Sequence, residues 1–382
     1  MKKLILGSTA LVGVASLAGA AQASDGVKLD VGGFFQTVFQ GIINSHKVKG
    51  LDSWGALHQD VRFVHNAEVH FKGETTLDNG LTVGAQIELE GENANDQIDK
   101  SFVYWSGGFG KVQIGSQDGV IGACPVFPPG ATANFSGFSP ASWGSNDPVG
   151  SNAVCADFGN SQSIKYTTPT FGGFQLAVQY TPSNNAEDYT QAGVDSSGTP
   201  VIANGGVGGQ KHIFGAYATY SFAGDGWGLD LGGGASVATD ARKGTGISDG
   251  RTAFYQTAAT MTFGGFAVGG IFEYADIGGN DNDQWVAGGG ASYGINAWTV
   301  GIQGSHGSYE GVGGVSFAQL PGNHRSLDRV IVTGSYEMGP GVLLDAELGY
   351  TWFHDTGDGS SAINHVGTYH AYEAAIGSKL TF

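Results

Sequence analysis

Apolar and polar residues alternate along almost the whole chain, from Val27 to Phe382. The clearest example is LTVGAQIELE at residues 81–90, where apolar side chains fill every second position and polar or charged side chains lie mostly between them. A period of two is typical of a β-strand with one apolar and one polar face. We find no convincing helical period after the first 23 residues, so the chain is predicted to be all-β.

Tight turns and long polar segments alternate between the predicted strands. Seven short connections carry the Gly, Asn, Asp or Pro residues that hairpins require, and eight longer ones are centred near residues 50, 95, 138, 196, 245, 280, 317 and 360. Fifteen connections predict sixteen strands, at residues 27–39, 60–76, 81–91, 99–106, 110–117, 161–168, 173–182, 211–222, 226–239, 251–263, 265–276, 284–293, 296–309, 325–338, 341–353 and 366–382. An even strand number, with both chain ends on the side of the short turns, is the layout of bacterial outer-membrane barrels.

Proline placement supports a barrel in lipid. All ten prolines lie in or at the edge of the proposed connections, and five of them lie in the single long segment 118–160. A proline inside a membrane strand would remove a ladder hydrogen bond that lipid cannot replace. We therefore predict a sixteen-stranded antiparallel transmembrane β-barrel that is closed by pairing of its first and last strands.

The amino-terminal residues predict export. Residues 1–23 begin with a Met and two lysines, continue with a short apolar stretch and end in Ala-Gln-Ala. This is the pattern of a secretory signal peptide cut before Ser24, which leaves a barrel domain over residues 24–382. The alternative is an uncleaved membrane anchor. With the barrel pattern, the signal predicts the outer membrane of a Gram-negative bacterium.

Composition and charge exclude some functions. The chain has 67 glycines, 41% hydrophobic and only 13% charged residues, and its formal net charge is −17. Removal of the two signal-peptide lysines would change this charge to −19. An acidic chain without basic clusters argues against nucleic acid as a partner.

Motifs for enzymes and cofactors are weak. The ten histidines include no HExxH motif, and HNAEVH at residues 65–70 places its two histidines on opposite faces of a strand. The acidic loops GGNDNDQ and HDTGDGS resemble calcium ligands but lack a complete loop pattern and a closing Glu. We predict neither enzymatic activity nor a metal site or other cofactor, with calcium in these outer loops as the alternative.

Three stretches carry a family resemblance. NAEVHFKGETTLDNGLTVGAQIELEGE, FVYWSGGFGKVQIGSQ and NSQSIKYTTPTFGGFQLAVQYTPS resemble, in order and spacing, the general porins of Gram-negative bacteria. The final GSKLTF is similar to the signal read by the barrel assembly machinery, here through Gly377, Leu380 and Phe382. The resemblance implies a homotrimer in contact with outer-membrane lipid and lipopolysaccharide. It also implies a third long loop, here segment 118–160, that folds inward as a constriction loop.

Charged residues then become candidates for a pore constriction. Segment 118–160 contains three acids and no Lys or Arg: Asp118, Asp147 and Asp157. Four bases on polar strand faces are expected to oppose these acids: Arg62, Lys72, Lys111 and Lys165. Such an arrangement would set the field that passing ions experience. The alternatives are that the acids cap turns in bulk water and that the bases lie at the rim.

The two cysteines, Cys124 and Cys155, both lie in this segment. Two cysteines in an exported chain favour a disulfide over a metal site, which needs more soft ligands. The leading interpretation is therefore a passive channel for small hydrophilic solutes with a modest preference for cations. The alternatives are a solute-specific channel of the same architecture, and a surface adhesin or structural barrel plugged by its own loop.

Overall fold

Sixteen antiparallel strands form one closed barrel in the computed structural model. The structure describes residues 26–44, 61–91, 97–138, 152, 154–184, 193–194, 200–201, 210–240, 251–276, 283–310, 324–355 and 367–382. The barrel strands are β1 (Lys28–Asn44), β2 (Val61–Thr76), β3 (Thr82–Glu90), β4 (Ile98–Gly107), β5 (Gly110–Gln117), β6 (Ser161–Thr167), β7 (Phe174–Ser183), β10 (Lys211–Ala223), β11 (Trp227–Asp240), β12 (Ala253–Phe263), β13 (Phe266–Asp276), β14 (Asp283–Ile295), β15 (Trp298–Glu310), β16 (His324–Gly339), β17 (Val342–Asp355) and β18 (Gly367–Thr381).

These strands confirm the sixteen that were predicted. The largest difference is at the end of β1, which continues to Asn44 instead of ending at residue 39 because it remains paired with β18 up to Ala371. A two-residue pair, β8 (Gly193–Val194) with β9 (Pro200–Val201), was not predicted and lies in the long connection between β7 and β10.

The first and last strands close the barrel, as predicted. β1 pairs with β2 on one side and with β18 on the other. The backbone N–H of Phe382 donates to the Gly33 carbonyl at 3.1 Å, and the Phe382 carbonyl accepts from the Gly33 N–H at 3.0 Å. Closure leaves no unpaired sheet edge, which a strand in hydrocarbon could not tolerate.

The two faces of the wall differ in polarity. Apolar side chains such as Phe63, Leu348 and Ile376 are 76%, 66% and 56% exposed. Positions that alternate with them, such as Gln40 and Gln303, are fully buried. Side chains that point into a barrel alternate with those that point out along every strand. We call the exposed apolar positions the outer set and the alternate positions the inner set.

Short and long connections lie at opposite ends of the barrel, because each antiparallel strand reverses the chain direction. The short ones include the turn at residues 77–81 and the Gly264–Gly265 turn. Segment 118–160 is the longest connection, and the structure describes residues 118–138, 152 and 154–160 of it. Within the described residues, no helix is long and apolar enough to cross a membrane.

Candidate functional site

A disulfide joins the two limbs of segment 118–160. Cys124 and Cys155 are bridged, with a Cα–Cα distance of 5.3 Å, which confirms the predicted pair. Near the bridge, the Asp157 carboxylate accepts hydrogen bonds from the backbone N–H groups of Gly122 and Gly159, each at 3.0 Å. The segment is therefore cross-linked at its base before it extends along the wall.

The outgoing limb packs on inner-set residues of the wall. Val120 and Ile121 form one buried apolar cluster with Tyr217 and Phe254, and Ala275 completes it. Burial of such side chains removes apolar surface from water, which stabilises the contact by about 25 cal/mol for each Å² buried. The limb is thus held by hydrophobic contact with β10, β12 and β13.

Glycines on the inner wall and in the segment let their two backbones approach closely. A Cβ added at Gly290 of β14 would collide with the Pro129 carbonyl, and one added at Gly130, which has φ +102°, would collide with the Ile302 carbonyl. Only a residue without a Cβ accommodates such an approach at low cost. These glycines were not singled out from the sequence, since the chain has 67 of them and their spacing does not show which ones meet the loop.

The tip of the segment is latched to β17. The Asp345 carboxylate accepts a hydrogen bond from the Thr132 hydroxyl at 2.7 Å and two from Asn134, from its N–H at 3.0 Å and its Nδ2 at 2.6 Å. Gln36 of β1 donates from Nε2 to the Ala133 carbonyl at 2.7 Å. We call Thr132, Asn134 and Asp345 the tip latch.

An apolar anchor lies next to the latch. Phe135 is 1% exposed and packs with Val38, Ile331 and Ala375, which come from β1, β16 and β18. The tip therefore reaches across the closing strands of the barrel. The predicted assembly residue Gly377 lies here too, since an added Cβ would be 2.8 Å from Asn134 Nδ2 and from Asp345 Oδ1.

The return limb is held by side chains that bind its backbone. Gln303 accepts from the Gly137 N–H at 2.7 Å and donates to the Pro128 carbonyl at 2.9 Å, so it ties both limbs to β15. Glu273 accepts from the N–H groups of Cys155 at 2.7 Å and Ala156 at 3.0 Å. Both wall residues are at most 4% exposed.

A buried ionic cluster supports the wall beneath the return limb. Arg329 forms ion pairs with Glu347 and Glu373, and the side chains of all three residues are 0% exposed. Arg329 Nε also donates to the Ser136 carbonyl at 3.3 Å. Sequence reasoning missed this cluster, although the period-two pattern already places all three residues on inner positions.

The predicted acids of the segment have different surroundings. Asp118 forms an ion pair with Lys100, with 3.4 Å between Oδ2 and Nζ. Burial raises the pKa of the Asp157 carboxyl above its usual range, an effect that its two amide hydrogen bonds oppose. Asp147 lies outside the described residues. Of the two described acids, Asp118 is therefore the more accessible, at 37% side-chain exposure.

Of the four predicted bases, Lys165 contacts a described residue of the segment. Lys165 Nζ donates to the Asp118 carbonyl at 3.0 Å. The other three contact wall residues: Arg62 Nε donates to Gln40 at 2.7 Å, Lys72 pairs with Glu74 at 3.0 Å, and Lys111 lies 4.4 Å from the centroid of the Tyr104 ring.

Lys100 was missed from the sequence. Its Nζ lies 3.1 Å from Glu88, 3.1 Å from Asp99 and 3.4 Å from Asp118. It therefore links the wall of β3 and β4 to the start of the segment. The alternation of β4 could have placed Lys100 on the same face as Tyr104, which lies four residues further along the chain.

A recess of about 360 Å³ lies between the segment and the wall. The residues that line it are Pro125, Val126, Phe127, Gln175, Ala177, Tyr217, Thr219, Ser221, Asp230 and Thr260. They combine aromatic rings with hydroxyl, amide and carboxylate groups. Such a lining can form both apolar contacts and hydrogen bonds.

Solved barrels share this architecture. OmpT of Vibrio cholerae in its trimer form aligns with a TM-score of 0.60 at 14% identity, covering 94% of this chain and 100% of that protein. The anion-selective porin of Comamonas acidovorans aligns with a TM-score of 0.55 at 16% identity, covering 93% and 100%. At sequence identities of 14% and 16%, the structural similarity establishes the fold alone.

Sequence relatives match in part. Major outer membrane protein P.IB of Neisseria gonorrhoeae is 30% identical over 128 residues, 31% of this chain and 33% of that protein. The monosaccharide porin of a Halomonas species is 28% identical over 206 residues, 50% of this chain and 53% of that protein. The matches thus span about a third to a half of these relatives.

A profile of the Gram-negative porins matches residues 7–356, which is most of the chain. The match agrees with the closed barrel, the alternation of its faces and the resemblance found in the sequence. It also supports the prediction that the chain is not an enzyme. The chain belongs to the Gram-negative porin family, whose members lie in the outer membrane.

Proposed function

We propose that this porin forms a water-filled channel for passive diffusion of small hydrophilic solutes and ions, and that segment 118–160 lies in the lumen and narrows it. The observation that carries the proposal is the path of the segment. Its described residues contact inner-set side chains such as Glu273, Gln303 and Asp345, on β13, β15 and β17. Solutes would pass between the segment and the wall of β2–β5.

That part of the wall is polar and charged. Lys72 with Glu74 on β2, and Lys100 with Glu88 across β4 and β3, form ion pairs on it. Charged side chains of both signs beside an opening favour hydrated solutes over apolar ones. The disulfide and the tip latch would keep the aperture constant.

The proposed preference for cations is modest. The mature chain would carry a formal charge of −19, but charges beyond about 8 Å are screened at physiological salt, so only charges near the aperture decide the sign. The pairing of Asp118 with Lys100 reduces the field of that acid. Any excess of negative charge near the aperture would come from acidic residues of the wall and from Asp147.

Assembly follows from the same proposal. We infer cleavage before Ser24, recognition of Gly377, Leu380 and Phe382 by the barrel assembly machinery, a homotrimer, and contact with outer-membrane lipid and lipopolysaccharide. The trimer form of the related Vibrio cholerae OmpT supports the oligomer. Leu380 and Phe382 are 49% and 55% exposed, which suits recognition by a partner or by lipid.

Planar-bilayer recording tests the channel. Purified trimers should give stepwise, ohmic conductance, and a tenfold KCl gradient should give a zero-current potential of the sign that indicates cations. An anion-indicating potential would reject the selectivity. Absence of conductance steps from correctly folded trimers would favour the plugged structural barrel or adhesin.

A second candidate is a channel with a preference for small sugars. The recess lined by Phe127, Tyr217 and Asp230 favours it, and a relative is named a monosaccharide porin. Liposome swelling with glucose and with a non-sugar solute of equal size distinguishes the two. Faster swelling with glucose, lost in Tyr217→Ala, would support the sugar preference, whereas equal rates would support general diffusion.

A further inference from the structure

Three metal-ligand side chains converge on the inner wall of β2 and β3. Glu68, His70 and Glu88 each offer one ligand atom, and these atoms all lie within 4.8 Å of one another. Residues 68 and 70 are alternate positions of β2, and Glu88 lies directly opposite His70 in the β2–β3 register. The arrangement is fixed by strand pairing rather than by a loop.

We propose that Glu68, His70 and Glu88 bind a divalent transition cation such as Zn²⁺ on the barrel wall. One imidazole nitrogen and two carboxylates form a donor set that suits Zn²⁺, with water in the remaining position. A metal at about 2.0–2.2 Å from each donor would bring the donors to about 3.4 Å from one another, so each side chain needs to move by only about 1 Å.

The donors keep the capacity to bind a metal despite their present contacts. His70 Nε2 lies 2.8 Å from Glu68 Oε2, so the imidazole already faces the first carboxylate. Glu88 accepts from Gln86 at 2.5 Å through Oε1 and pairs with Lys100 at 3.1 Å through Oε2. Each carboxylate oxygen has two lone pairs, so these partners leave acceptor positions open.

Charge and access agree with the site. Two carboxylates within a few ångströms repel each other, and a dication relieves that repulsion together with the Lys100 ammonium. The side chains of His70 and Glu68 are 32% and 15% exposed, so a hydrated ion can reach them from the barrel interior. Lys100 also competes with the metal, which predicts a site of moderate affinity.

The test is a metal titration of untagged, folded protein in detergent. Isothermal titration with ZnCl₂, and the visible absorption of Co²⁺, should report one site per chain. His70→Asn and Glu88→Gln should each weaken binding by at least about tenfold, because loss of a residue that only supports a metal ligand already costs about 10- to 100-fold. Lys100→Met should tighten binding, because it removes the competing charge.

His306→Gln is the matched control. His306 pairs with Asp328 at 2.6 Å, so it is also a histidine with a carboxylate, but it lies outside the described three-ligand cluster. Its removal should leave the titration unchanged. Equal binding by wild type, His70→Asn and Glu88→Gln, or equal loss in His306→Gln, would overturn the proposal. The titration does not depend on conductance, so the channel proposal and the metal site can fail separately.

Discussion

Replacement of Asp345 by Asn tests whether the tip latch holds segment 118–160 against the wall. Asp345 is 3% exposed and accepts three hydrogen bonds from Thr132 and Asn134. Asn has nearly the same shape, so the variant changes charge and acceptor capacity while the packing of the wall is kept.

The structure gives the size of the effect. A hydrogen bond to a charged group contributes about 1.5–3 kcal/mol and a neutral one about 1 kcal/mol, so each of the three bonds onto Asp345 should weaken by about 0.5–2 kcal/mol, which is about 1.5–6 kcal/mol in total. At 1.4 kcal/mol for each factor of ten, the ratio of latched to released tip falls by roughly 10- to 20,000-fold. Phe135 still packs in its apolar cluster, so the segment loosens at the tip first.

Two measurements read this change. Hydrogen exchange of the Asn134 N–H, which donates to Asp345, should accelerate because exchange follows local opening. Single-channel recordings should show frequent brief closures as the released tip enters the passage. Asp230→Asn is the control, since Asp230 accepts from Ser221 at 2.6 Å elsewhere on the wall.

Unchanged exchange at Asn134 together with unchanged current noise in Asp345→Asn would refute the reasoning. That result would mean that the apolar anchor alone holds the tip. An equal rise in closures in Asp230→Asn would instead show a general loosening of the wall rather than release of the latch.

Three further predictions concern the same segment. Reduction of the Cys124–Cys155 bridge should destabilise segment 118–160 by about 3–4 kcal/mol, the value for a closed loop of this length, and should raise the current noise. Identical noise before and after reduction would contradict this prediction. Gly290→Ala should lower the thermal unfolding temperature, because overpacking against the Pro129 carbonyl costs about 1–3 kcal/mol. Gly334→Ala is the control, since a Cβ there meets no atom within 4 Å and should leave the temperature unchanged. Equal shifts in the two variants would reject the close approach of the segment to Gly290. Lys100→Met should raise the ratio of cation to anion permeability about twofold, the effect of one charge at about 8 Å in water when salt screens it over about 8 Å. A zero-current potential that moves the other way would contradict the assignment.

Local patterns in the sequence were sufficient for the barrel. The period-two alternation sets which side chains face lipid, and hairpin chemistry sets where the chain turns, and both act between residues close in sequence. The strand number could therefore be predicted. The pairing of β1 with β18 could be predicted because a barrel in lipid leaves no open sheet edge, and the Cys124–Cys155 bridge because an exported chain has only these two cysteines. So could the outer position of Phe382.

The path of segment 118–160 was decided by tertiary structure. Asp345 meets Asn134 across 211 residues of chain, and Gln303 meets Gly137 across 166. Alternation shows that Asp345 and Gln303 point inward, but every strand has several such positions, and nothing local selects which of them lie beneath the loop. Barrel closure brings these positions onto one curved surface, and only then do their contacts with the segment exist.

Register decided the charged clusters in the same way. The alternation in the sequence correctly places the two histidines of HNAEVH on opposite faces of the strand. His70 becomes a neighbour of Glu88, however, only because the pairing of β2 with β3 sets these two residues opposite each other. Lys100 reaches Glu88 and Asp118 only when β4 joins β3 and the segment folds back. A shift of the pairing by one residue would move these side chains to the other face, so their chemistry depends on the assembled sheet.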